Sequence, residues 1–192
     1  MAMDQELLKE ISRPEKTALV VWDVQNALVD KIFNQEEFLA NVTTLINAAR
    51  AQGIPILFSK ITPLPDRFQS PPRRILWKNR NLGLAGQGLE LTIAPLPNDI
   101  VVPKNTADIF IGTNFELMVR NAGLTTLIFA GIATEMGIES SGRGASNRGF
   151  FTIIARDAVS SMNKEGHDRS LKNMENILIV MSNAEIVGMW NQ

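Results

Sequence analysis

Three short segments carry residues able to act on a substrate. DVQN (23–26) places a carboxylate, Asp23, at the end of the apolar run TALVVW, and PKN (103–105) places an amine, Lys104, at the end of DIVVPKN. GIATEMG (131–137) ends a third apolar run and opens a helix, with Thr134 at the N-cap position. A carboxylate ending a buried strand is costly unless it is paired or hydrogen-bonded, and its plainest role is to cap the next turn. A lysine by itself is ordinarily solvated surface. If both strands lie centrally in one sheet, the two side chains can meet, and a buried acid–amine pair is better evidence for a site than for stability. The free N–H groups of a helix start favour an anion or a developing oxyanion.

Residues 17–25 and 54–60 read as buried strands around a helix over 36–53, whose apolar residues Phe38, Leu39, Val42, Leu45, Ile46 and Ala49 have helical spacing and whose stop is Gly53. Further strands are predicted at 99–105, 125–131, 150–158 and 177–182, with helices at 112–123, 134–149, 163–176 and 183–190. Strand–helix alternation implies right-handed crossovers between parallel strands. The expected architecture is a single α/β domain over 1–192, a three-layer sandwich around a mostly parallel six-stranded, Rossmann-like sheet. Sites in such folds gather at the carboxyl ends of the strands, where Asp23, Lys104 and 131–137 all fall. Residues 61–99 interrupt the alternation. They hold most of the nine prolines and three closely spaced glycines, so they read as a long surface excursion with at most short helices, of the kind that forms binding loops.

The 192 residues are 45% apolar with a net charge of −1, enough for one well-buried core and without the basic face that nucleic acid or an anionic membrane would require. Zero cysteines exclude disulfides, cysteine metal sites and thiol nucleophiles. One histidine, His167, cannot build a multi-histidine zinc site, and a structural hydrogen bond is its favoured role. The N-terminus MAMDQELLKE does not read as a signal peptide, and no apolar run approaches the roughly 20 residues of a membrane span. A soluble cytoplasmic protein is expected. GLAGQG (83–88) follows no clear strand and lacks GK[ST], so nucleotide binding is not supported.

Together, D-x-Q-N after the first strand, Lys after the third, G-[IV]-A-T-E-x-x-[IV]-E-S-[ST] at a helix start, and ARDA (155–158) followed by His167 resemble the isochorismatase-like, or cysteine hydrolase, superfamily over roughly residues 15–188. The resemblance implies that superfamily's hydrolase fold, a small-molecule substrate, no cofactor and a homo-oligomer. Most such proteins are amidases with an Asp–Lys–Cys triad, which matches Asp23, Lys104 and Gly137, with glycine where the thiol should be. They also tend to carry a cis peptide before the residue matching Ala133. The nicotinamidase metal motif Asp-x-His…His has no counterpart in SKITPLPDRF, so no metal is expected.

Without the thiol, thioester-forming amide hydrolysis is closed. Ser140 and Ser141 lie a helical turn further on, about 4.5–6 Å along the axis, too far to replace it. The resemblance offers a second precedent, the isochorismatases, which also lack the cysteine and cleave an enol ether without a covalent intermediate. On that reading Asp23 is the general acid, Lys104 orients it, and the missing side chain at Gly137 leaves room for substrate. Gln25, Ala133, Thr134, Arg74 and Trp77 are then expected to contact substrate, with Arg73 as a further carboxylate ligand. Gly137, Gly142 and Gly144 each cost a helix about 0.5–1 kcal/mol relative to alanine. That fits either a close approach or a helix loosened by drift. A catalytically silent binding or assembly protein, and an amidase-type relative whose cysteine has been replaced, are the competing readings.

Overall fold

The structure, a computed structural model, describes residues 5–76 and 82–191. Six parallel strands form one sheet in the order β3-β2-β1-β4-β5-β6. They are β1 (Thr17–Trp22), β2 (Ile56–Ile61), β3 (Ile100–Lys104), β4 (Thr126–Ile132), β5 (Phe151–Ser160) and β6 (Ile179–Met181). The helices are α1 (Gln5–Ile11), α2 (Asn26–Val29), α3 (Gln35–Ala51), α4 (Pro71–Leu76), α5 (Phe115–Asn121), α6 (Glu139–Asn147), α7 (Lys164–Met174) and α8 (Asn183–Trp190). Among the described residues no helix is long and apolar enough to cross a membrane.

β1 is central and buried at every position, as a strand covered on both faces must be. Leu19 and Val21 point into a core with Phe38, Val42, Leu45 and Ile46 of α3. Ala18, Val20 and Trp22 point the other way, toward Phe115 and Val119 of α5 and Ile138 before α6. The chain winds outward from β1 to β2 and β3, then returns to lay β4 on β1's other side. The strand order reverses between β1 and β4, and a crevice opens at their carboxyl ends.

β1 ends at Trp22, short of the expected boundary at 25, because Asp23 takes a left-handed φ of +48°. Asp tolerates that region better than most L-residues. The β4 helix start also differs from expectation. Residues Thr134–Ile138 form a widened turn, in which Ile138 N donates to Ala133 O at 3.2 Å, and α6 begins only at Glu139. Such wide turns recur at functional sites. The Ile132–Ala133 peptide is cis.

Glycine is required at 131. Its φ is +125°, and a Cβ there would lie 2.6 Å from Trp22 N and closer still to Trp22 O. Gly131→Ala should therefore combine backbone strain of about 1–3 kcal/mol with overpacking of similar size. A urea midpoint within experimental error of the parent would contradict that account. The glycines in α6 also face neighbouring side chains closely. A Cβ at Gly142 would lie 3.0 Å from Leu178 Cδ1, and one at Gly144 would lie 2.7 Å from Asp108 Oδ2.

Candidate functional site

Asp23 and Lys104 meet. Lys104 Nζ donates to Asp23 Oδ2 at 2.6 Å, and both residues are 3% exposed. Since β3 lies two strands from β1, the lysine reaches across β2. The residue between them is Ser59, level with Trp22 in the β1–β2 register. Its hydroxyl donates to Asp23 Oδ1 at 2.6 Å and accepts from Asp23 N at 3.1 Å. Sequence reasoning missed Ser59, whose only signal was a small polar residue late in the apolar run IPILFSK. Lys104 also donates to Thr106 O at 3.3 Å.

The space at Gly137 is occupied, contrary to the expectation of an open notch. Trp22, 1% exposed, lays its indole there. A Cβ at 137 would lie 2.7 Å from Trp22 Cζ2 and closer still to Cε2 and Nε1. The same ring has Lys104 Nζ 4.1 Å from its centroid. The glycine therefore makes room for the tryptophan that ends β1.

A cleft of about 940 Å³ opens over these groups, within the usual size range of small-molecule sites. Trp22, Asp23, Lys104, Ala133, Gly137 and Arg74 line it, as does Lys31. The excursion supplies one wall through Pro63, Asp66, Gln69 and Leu82–Ala85. Trp77 lies outside the described residues. The other two expected substrate contacts face elsewhere. Gln25 is fully buried, and its side-chain amide donates to Ile61 O and Leu89 O and accepts from Ile61 N. It ties the start of the excursion, Ile61, to its later part at Leu89. Asn26 extends the tie, donating through Nδ2 to Gln87 O and accepting from Thr92 Oγ1. Ser141 is likewise occupied, accepting from Ile109 N and donating to Ala107 O.

Thr134 is buried, with its hydroxyl donating to Ser160 O at 3.1 Å. That bond uses its one proton, so the 2.8 Å contact with His167 Nδ1 has the imidazole N–H as donor. The role of His167 is thus a structural hydrogen bond, with Phe33 edge-on at 5.3 Å. Burial holds its pKa below the ordinary 6.5. The folded state therefore resists a proton that the unfolded chain accepts, so stability is full above about pH 6.5 and declines as pH falls through the lowered folded value. Since His167 is the single histidine, the urea midpoint should fall between pH 6.5 and 5, and His167→Gln should flatten that slope. An unchanged slope in the variant would assign the loss to carboxylates.

Glu135, not singled out by its sequence position, faces the cleft on the widened turn. Ser161 Oγ donates to its Oε1 at 2.6 Å, while its Oε2 is buried and has no hydrogen-bond partner among the described residues.

A carboxylate–lysine pair at the switch point of a doubly wound sheet, under a cleft of small-molecule size, defines an α/β enzyme-type site. A model of the Isochorismatase domain matches residues 17–185. The ureidoacrylate amidohydrolase RutB of Pseudomonas syringae pv. syringae (strain B728a) is 29% identical over 192 residues, covering 85% of this chain and 78% of its own length. The uncharacterized isochorismatase family protein YecD of Escherichia coli O157:H7 is 29% identical over 169 residues, covering 82% and 87%. Among solved structures, a cysteine hydrolase from Pseudomonas syringae pv. phaseolicola 1448A superposes with a TM-score of 0.86 at 21% identity, over 93% of each chain. The nicotinamidase PncA of Bacillus subtilis gives a TM-score of 0.75 at 25% identity, over 87% of this chain and 99% of that one. This chain belongs to the isochorismatase family, a family of hydrolases.

Proposed function

We propose that this protein hydrolyses a small organic acid without a covalent intermediate, using Asp23 and Lys104 as a proton-transfer pair, and that the bond cleaved is the enol ether of an isochorismate-type substrate. The observation that carries this reading is the indole seated over Gly137. A thioester route needs a nucleophile at that position, whereas enol-ether hydrolysis needs only a proton and a water.

The hydrogen bonds refine the proton's origin. Both carboxylate oxygens of Asp23 are engaged, Oδ1 by Ser59 and Oδ2 by Lys104, so the proton used in the reaction is one held within this pair. The proton comes from the Lys104 ammonium along the 2.6 Å bond. Asp23 passes it to the vinyl methylene, leaving an oxocarbenium carbon. Water adds there, its released proton restores the pair, and the hemiketal collapses to pyruvate and the ring alcohol. Lys31 and Arg74, both exposed at the cleft, supply charge for substrate carboxylates.

Glu135 supports a second reading. A buried carboxylate oxygen lacking a donor fits an N–H-rich group, and RutB relatives are named ureidoacrylate amidohydrolases. On that reading the pair activates water for attack on a ureido or amide carbonyl. Parallel assays separate the two. Pyruvate release from isochorismate, coupled to NADH oxidation, is the expected result. Ammonia release from ureidoacrylate without pyruvate would move the assignment to the second reading, and turnover of neither by folded protein would leave a silent homologue.

A further inference from the structure

Lys104 is a buried ammonium, 3% exposed, and must be held charged if it is the proton source in the reaction proposed above, on which this inference rests. One N–H goes to Asp23 and another to Thr106 O. A third neighbour is the Trp22 ring, 4.1 Å from Nζ to centroid. Tryptophan presents the strongest negative π face of the natural side chains, and the attraction grows when the cation is removed from water.

Two glycines fix the ring in this place. Gly131 receives the Trp22 backbone and Gly137 receives the indole, and a Cβ at either would collide with the tryptophan. If the cavity over residue 137 needed only filling, any large apolar side chain on β1 would serve. The arrangement adds something an aliphatic residue lacks, an electron-rich face directed at the amine. Among the described residues, the remaining charged groups of the cleft wall are Lys31, which follows α2, Asp66 and Arg74 of the excursion, and Glu135 of the widened turn. Asp23 alone among these carboxylates is hydrogen-bonded to Lys104.

We propose that Trp22 is a positioning residue for Lys104: its indole occupies the space a side chain at 137 would take and offers its π face to the ammonium, keeping the amine protonated and aimed at Asp23. Trp22 thereby fills the space of a side chain at 137 and keeps the amine of the pair loaded with its proton. The two glycines and the tryptophan form one unit suited to proton-initiated, non-covalent hydrolysis.

The test reads the amine directly. Protein labelled with ¹⁵N-lysine, with the Lys104 signal assigned through Lys104→Arg, is titrated by ¹⁵Nζ chemical shift. Trp22→Leu should lower the Lys104 midpoint by about one pH unit, and Trp22→Phe should recover most of it. Fluorinated tryptophans installed at position 22 alone keep the shape while weakening the π face, and should lower the midpoint stepwise with fluorine number even if Trp22→Leu fails to fold. Equal midpoints across the fluorine series, or equal shifts in Trp22→Leu and Trp22→Phe, would overturn the proposal and leave Trp22 as packing. A stepwise series without pyruvate release would keep the positioning role and reject the ether reaction. Pyruvate release with an unchanging midpoint would do the reverse.

Discussion

Asp23→Asn is expected to reduce turnover by about 10²–10⁴-fold, the usual contribution of a positioned acid–base group. The amide keeps the shape of the carboxyl but cannot relay a proton from Lys104. It also leaves the ammonium without its counter-charge in a site where Lys104 is 3% exposed, and breaking a buried pair costs about 3–5 kcal/mol. Activity and stability should therefore fall together. The double variant Asp23→Asn with Lys104→Met separates them. Removing both charges should restore much of the lost stability, measured by urea unfolding, while turnover stays low. If turnover returned with stability, Asp23 would be a structural partner and the proton relay would be wrong. If Asp23→Asn were fully active, the cleft would have to find its acid elsewhere, and Glu135 and Asp66 are the other carboxylates among the described residues of its wall.

The second large effect concerns the apparent route back to thiol chemistry. Gly137→Cys should not yield an amidase. Its Cβ would lie 2.7 Å or less from three atoms of the Trp22 indole, and that ring is 1% exposed in the packed core. Overpacking of this kind costs about 1–3 kcal/mol, and a rigid indole places the change toward the upper end. The companion Trp22→Val with Gly137→Cys removes the collision. It should be more stable than the sum of the two single changes by about 1–3 kcal/mol. Because the natural chain has no cysteine, a thiol reagent reports on position 137 alone, and the thiol should react readily only in the double variant. A single Gly137→Cys protein with parental stability and a reactive thiol would mean the indole moves freely. The steric half of the Trp22 argument would then fail.

Much of the fold was legible in one dimension. Alternating apolar strands and helical spacings announced six strands and their crossovers, because burial on both faces of β1 requires an unbroken apolar run and burial on one face of α3 requires the 3.6-residue period. The excursion was legible from its prolines and glycines. The strand-end rule brought Asp23 and Lys104 to the same end of the sheet, and the structure pairs them at 2.6 Å.

Other features had no linear signal. Gln25 and Thr134 stand beside the site in sequence and turn away from it in space, since Asp23's left-handed turn and the widened turn after Ala133 redirect the chain. Ser59 matters because β2 happens to lie between β1 and β3, a fact of strand order.

The amino-acid sequence by itself determined the doubly wound class, the carboxylate and amine at its strand ends, and the impossibility of thiol chemistry, because periodicity and residue type are local properties. The tertiary structure alone decided what Gly137 is for. Residues 22 and 137 lie on different elements, and only the β1–β4 register, with Trp22 level with Gly131, brings the indole over the glycine. Whether an absent side chain leaves room for a ligand or for a neighbour depends on packing between distant segments, which no residue encodes on its own.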